Sequence, residues 1–197
     1  MTTPSPRPET SAAAPSCNAR PWLPSPSGLL VVGLGNVLLQ DDGVGVHAVR
    51  ALAASPERGI APVEVGTEVL DRLDLFEHAP RIVAIDALPT GERPGTVHVL
   101  KVRDLDPETG RPTLDELSVA SALRGIRRGG MAEIVLVGVV PRALGPQVGL
   151  SAPVREALPR VLSIVRRIAR GQWPDLPIPT PAYLPDWPVA SGALSVR

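Results

Sequence analysis

Three short stretches of the chain, 29–33 (LLVVG), 81–86 (RIVAID) and 133–140 (EIVLVGVV), are rich in β-branched residues and almost continuously apolar. A run with no polar face has no side to give to water, and runs this short do not make helices. They read as central strands of a mostly parallel sheet, covered on both faces. Two further runs, 62–65 and 96–102, also read as strands. The second follows 81–86 after only a short loop through Gly91 and Gly95, which marks it as the antiparallel member.

Between these runs the pattern changes to a helical period, over 44–54, 68–77, 113–127 and 151–170. In the last, Val154, Leu158, Val161, Val165 and Ile168 recur at three- and four-residue intervals. Ser151 is placed to cap its start, and Arg166, Arg167 and Arg170 suit the negative end of its dipole. The order β-α-β-α-β-β-α-β-α predicts an α/β three-layer sandwich: a twisted, mostly parallel sheet of about five strands with helices on both faces.

The 197 residues support one core, so a single domain is expected over 29–170. It is flanked by proline-rich tails at 1–28 and 171–197, which hold 13 of the 24 prolines and show no periodic apolar pattern. Trp22, Trp173, Trp187 and Tyr183 all lie in the tails, either as anchors on the domain surface or as a partner-docking motif. Twenty basic residues balance twenty acidic ones, which argues against a nucleic-acid or membrane partner. The single cysteine, Cys17, excludes an intrachain disulfide and a thiolate metal cage. No apolar run reaches the roughly 18–20 residues that span a bilayer, and the first 28 residues lack the apolar stretch of a secretory signal, so a cytoplasmic location is expected.

In a sheet of this kind ligands bind at the carboxyl ends of the parallel strands. Three segments leave the strands there: Gly33-Leu34-Gly35-Asn36 running into LLQDDGVG, Asp86-Ala87, and GVVPRALGPQVGLS at 138–151. The first is a poor nucleotide fingerprint, since Leu38 takes the third glycine position and Asp41 and Asp42 would repel a pyrophosphate. Two acids there attract a cation instead. Asp86 ends an otherwise apolar strand, where an unpaired carboxylate is costly without a cation or a hydrogen-bonding turn. The plainer alternative is that Asp86 caps the following loop while Asp41 or Asp42 caps the first helix. Gly33, Gly35, Gly43 and Gly45 fit a role in backbone geometry around Asp42, and Asn36 fits one in holding the loop or touching a substrate backbone.

The stretch GLGNVLLQDDGVGVH resembles the signature of the hydrogenase maturation endopeptidases, and IVAIDA and VLVGVVPRALGPQVGLSAPV match further blocks of that family in order and spacing. The resemblance covers about residues 28–170. It implies a monomeric, aspartyl endopeptidase-like hydrolase with no organic cofactor. Such an enzyme removes the C-terminal peptide of a nickel–iron hydrogenase large-subunit precursor after nickel insertion. It also implies that Asp42 and Asp86 are the catalytic carboxylates, that they bind the nickel carried by the substrate, and that a histidine joins them. The best alignment puts Asp115 at the histidine's position, within RPTLDELSVASALRGIRRGG. Asp115 is then a substitute metal ligand, or an acid in a first helical turn with Thr113 and Glu116 as a capping box, or another histidine reaches in. His47, His78 and His98 read as structural or surface residues before they read as ligands. A non-catalytic maturation factor that binds the precursor without cutting it is the alternative function.

Overall fold

The computed structural model describes residues 28–68, 70–72, 75–76, 79–101 and 133–172. The sheet has five strands: β1 (Leu29–Leu34), β2 (Ile60–Gly66), β3 (Arg81–Ala87), β4 (Val97–Lys101) and β5 (Glu133–Val139), in the spatial order β2-β1-β3-β5-β4. All neighbours are parallel except β4, which runs antiparallel to β5. The antiparallel member is therefore the one expected, but its partner is β5 and not the preceding β3. The two central apolar strands β3 and β5 hydrogen-bond to each other and leave β4 at the edge.

Alternation of side chains sorts the core into two layers. Val31, Val83, Ile85, Val135, Val137 and Val139 face α1 (Val44–Ala54) and α2 (Ala152–Ala169). Leu30, Val32, Ile82, Ala84 and Leu136 face the other way, against Leu75, Phe76 and Leu88. The described part of the expected 68–77 helix is a 3-10 turn at Leu70–Arg72 and the helical pair Leu75 and Phe76. The expected helix at 113–127 and both proline-rich tails, with Cys17, His78, the three tryptophans and Tyr183, lie outside the described residues.

The chain leaves β1, crosses through α1 to β2 on one side, then returns to β3 on the other. The carboxyl ends of β1 and β3 thus flank a topological switch point, where connections diverge and open a crevice. How closely α1 can approach that crevice depends on Gly45. A Cβ added there would lie 2.1 Å from the carbonyl oxygen of Ile85 and 2.6 Å from the backbone of Leu34. Only a residue without a side chain lets the first turn of α1 sit directly on the ends of β1 and β3.

Gly45→Ala is expected to destabilise the fold by ~1–3 kcal/mol, the usual cost of forcing atoms into a packed interior. Gly145→Ala, at a position with open space around it, should change stability by under about 0.5 kcal/mol. Chemical denaturation of the two variants beside the parent chain checks the contrast.

Candidate active site

Asp42 and Asp86 arrive at the crevice from different elements. Asp42 sits in a 3-10 turn (Gln40–Gly43) that leads directly into α1. Its position is set by the loop after β1: Gly35, at φ +92°, brings its Cα so close to the carbonyl oxygen of Asp42 that a Cβ would lie 1.8 Å from it. The next residue returns the contact, its backbone N–H donating to Asp42 Oδ2 at 2.6 Å. Asn36 Oδ1 meanwhile accepts from the Leu38 N–H at 2.9 Å, so the Asn36 side chain holds the loop. Asp42 Oδ1 has no hydrogen-bond partner among the described residues.

Asp86 is the penultimate residue of β3 and is only 8% exposed. Its Oδ1 accepts the Ala87 N–H at 2.8 Å. That bond favours the ionised form but does not offset burial. Desolvation is the largest effect on the group; with the added repulsion of Asp42 it pushes the pKa up to about 7. The two carboxylates sense each other across the crevice, and at neutral pH Asp86 is poised between its protonated and ionised forms.

The helix-capping alternative is not what the structure shows. The residue at the start of α1 is Gly43, and no side chain caps it. Asp41 is fully buried and points away from the helix, to the segment before α2. Ser151 does stand at the N-cap position of α2, but its hydroxyl makes no cap bond there. Its O–H donates to Asp41 Oδ2 at 2.8 Å, a charge-assisted bond to a buried carboxylate. Sequence reasoning placed Asp41 only as a charge or a cap. Nothing in the sequence marks this pairing, since the only side-chain partner of Asp41 among the described residues is the hydroxyl of Ser151, at the end of ALGPQVGLS and 110 residues away.

Neither described histidine joins the carboxylates. His98 lies in the same cross-strand row as Asp86, each paired with Gly138. Leu88 fills the space above Gly138, so that a Cβ there would lie 2.6 Å from the Leu88 side chain. Burial lowers the pKa of His98, and its Nε2 stands 3.5 Å from Glu92 Oε2 without a hydrogen bond. His47, on α1, has its pKa lowered by burial and then by Arg50, beside the exposed Arg50–Glu64 pair. Asp115, Thr113 and Glu116 lie outside the described residues. Among the described residues, no group of three histidine, cysteine, aspartate or glutamate side chains could hold a metal; the crevice offers the two aspartates.

A cleft of ≈ 390 Å³ opens beside the acid-bearing turn. One wall is Gly35, Asn36 and Val37, and the other is the end of β2 with Glu64, Gly66 and Glu68. The arrangement as a whole is an α/β protein with two carboxylates at a switch-point crevice and a cleft beside the loop whose Asn36 N–H holds Asp42.

Comparison with known proteins agrees. A family model described as hydrogenase maturation protease matches residues 46–168. The hydrogenase 2 maturation protease of Escherichia coli K12 is 32% identical over 151 residues, covering 70% of this chain and 90% of the relative. Among solved structures, the hydrogenase maturating endopeptidase HybD of Escherichia coli superposes with a TM-score of 0.61 at 27% identity, covering 73% of this chain and 93% of that one. A hydrogenase 2 maturation peptidase from a Thaumarchaeota archaeon gives 0.54 at 29% identity, over 74% and 99%. The chain belongs to the hydrogenase maturation protease family and is an endopeptidase by that membership.

The raised pKa of Asp86 has a stability consequence. Folded Asp86 keeps its proton up to about pH 7, whereas in the unfolded chain it is lost near pH ~4. Between those values the folded state binds more protons, so the contribution of Asp86 to stability falls as pH rises through that window, by up to a few kcal/mol. Asp86→Asn cannot ionise. Relative to the parent chain it is expected to gain stability between pH 5 and pH 8, and the difference between the two proteins cancels the histidines that titrate in the same range. Denaturation midpoints at the two pH values check this; a constant difference contradicts it.

Proposed function

We propose that this chain removes the C-terminal peptide of a nickel–iron hydrogenase large-subunit precursor once nickel is in place, with Asp42 and Asp86 reading the metal. The observation that supports it most is the convergence of the two aspartates from separate elements at one crevice, close enough that Asp42 raises the pKa of Asp86. Such a pair is unfavourable when both are ionised and is relieved by a divalent cation. The donor chemistry fits: each carboxylate has one oxygen already held by a backbone N–H and one with no partner among the described residues.

On this reading nickel is part of the substrate. A precursor without it would leave the aspartates to repel each other, whereas nickel in a loaded one binds the Asp86 carboxylate, whose proton is released to solvent, and the precursor docks. The scissile bond is then held next to the crevice, where water adds its hydroxyl to the carbonyl carbon and its remaining proton goes to the leaving amine. Asp115 is the third ligand in this proposal. No helix among the described residues is long and apolar enough to cross a membrane, and action as a cytoplasmic monomer belongs to the same proposal.

The test is to mix the purified chain with a nickel-loaded precursor and follow the precursor's C-terminus by mass spectrometry. Loss of one discrete peptide is expected, and Asp42→Asn and Asp86→Asn should each slow it by about 10²-fold or more, the cost of misplacing a bound substrate. Asp115→Ala is expected to weaken nickel-dependent binding; unchanged binding contradicts its place as the third ligand and makes it an acid in a first helical turn. A precursor that binds but stays whole would make the chain a maturation factor without catalysis.

A further inference from the structure

Asp41 has no solvent exposure, yet its carboxylate is fully engaged. Oδ1 accepts the Ser151 N–H at 2.7 Å; Oδ2 accepts the Arg142 N–H at 2.9 Å, the Ala143 N–H at 3.2 Å and the Ser151 hydroxyl at 2.8 Å. All four bonds come from the segment between β5 and α2, at its beginning and at its end. Backbone contacts fasten its middle: the Gln40 N–H donates to Gln147 O at 2.7 Å, and Leu39 and Gln147 form an isolated parallel bridge. Gln40 itself stands at φ +54°, the one described non-glycine residue with positive φ, a conformation that persists only where its surroundings impose it.

The two loops joined in this way also carry every strongly exposed large apolar side chain among the described residues: Leu38 at 60%, Leu39 at 39%, Leu144 at 39% and Val148 at 75%. Scattered exposed apolar residues are ordinary, but their concentration on two cross-linked loops at one edge marks a binding surface. That edge is the one where Asp42 sits, one residue beyond Asp41.

We propose that these two loops form a single docking platform for the precursor polypeptide, which lays apolar side chains flanking the scissile bond on Leu38, Leu39, Leu144 and Val148, and that Asp41 is the positioning residue holding the platform rigid beside Asp42. The inference rests on the proteolytic reading above. The occupant is the precursor because the platform is continuous with the crevice at which its bond is cut. Asparagine cannot replace Asp41, since both carboxylate oxygens accept backbone N–H groups and an amide in either orientation sets its own NH₂ against one of them.

The experiment compares the full chain with Leu38→Ser/Val148→Ser, Asp41→Asn and Ser151→Ala. It measures KM and kcat on the nickel-loaded precursor, precursor Kd, circular dichroism, amide exchange and light scattering. The surface double variant should raise KM about tenfold or more with kcat and melting temperature nearly unchanged. Asp41→Asn should speed amide exchange at Arg142, Ala143 and Ser151 while β5 and α2 stay protected, and raise KM under conditions where it is folded. Ser151→Ala, which removes one bond of four, should do the same to a smaller degree. The proposal is overturned if the double variant leaves KM unchanged, if it alters only self-association, or if Asp41→Asn loses activity only in proportion to its unfolded fraction. A parent chain that binds without cutting moves the same comparison to Kd. One that neither binds nor cuts overturns both the function and this inference.

Discussion

Backbone meets backbone where α1 begins, and the geometry of the crevice follows from that contact. Gly45 lies against the carbonyl of Ile85 at the end of β3 and against Leu34 at the end of β1. Because the helix cannot move away without opening this contact, the turn that precedes it is fixed relative to both strands. Asp42, three residues before Gly45, is thereby placed opposite Asp86, one residue after Ile85. Close packing of this kind transmits position with little slack, which is what a site built on two side chains from separate elements requires.

Two adjacent aspartates do opposite work in this frame because their surroundings differ. Asp41 is enclosed and accepts four hydrogen bonds, so its charge is consumed in tying one loop to another. Asp42 is only half-buried and accepts one bond, at 2.6 Å from Asn36, which leaves an oxygen open toward the crevice. Asp86 is enclosed with a single bond from its own neighbour, and its raised pKa records that shortfall. Asp41 is a satisfied acid beside two under-satisfied ones, and the proposed nickel reading uses only the latter.

Much of the fold was legible because the core pattern is strong. The two-faced apolar runs at 29–33, 81–86 and 133–140 could be nothing but interior strands, and the helix at 44–54 has the bounds its periodicity implied. The pairing of β4 with β5 was not legible: apolar pattern fixes which face of a strand is buried, but says nothing of which neighbour it meets. At the site, Asp42 and Asp86 could be read from their places after β1 and at the end of β3. The role of Asp41 could not, since its partners Arg142, Ala143 and Ser151 are about a hundred residues away and three of its four bonds come from backbone N–H groups, which leave no mark on a sequence. The row shared by His98 and Asp86 likewise depends on register, and Leu88 decides that the two do not meet.

Asp86 is proposed to hold a proton near neutral pH and to release it to solvent when its carboxylate binds the metal in the precursor. Carbon-detected NMR of chain labelled at the aspartate carboxyls, titrated alone and with nickel-loaded precursor bound, measures this directly. Asp86 is expected to titrate at about pH 7 in the free chain and to be ionised throughout the neutral range in the complex. An Asp86 that titrates near pH ~4, as an ordinary aspartate does, and is unmoved by the precursor would contradict it.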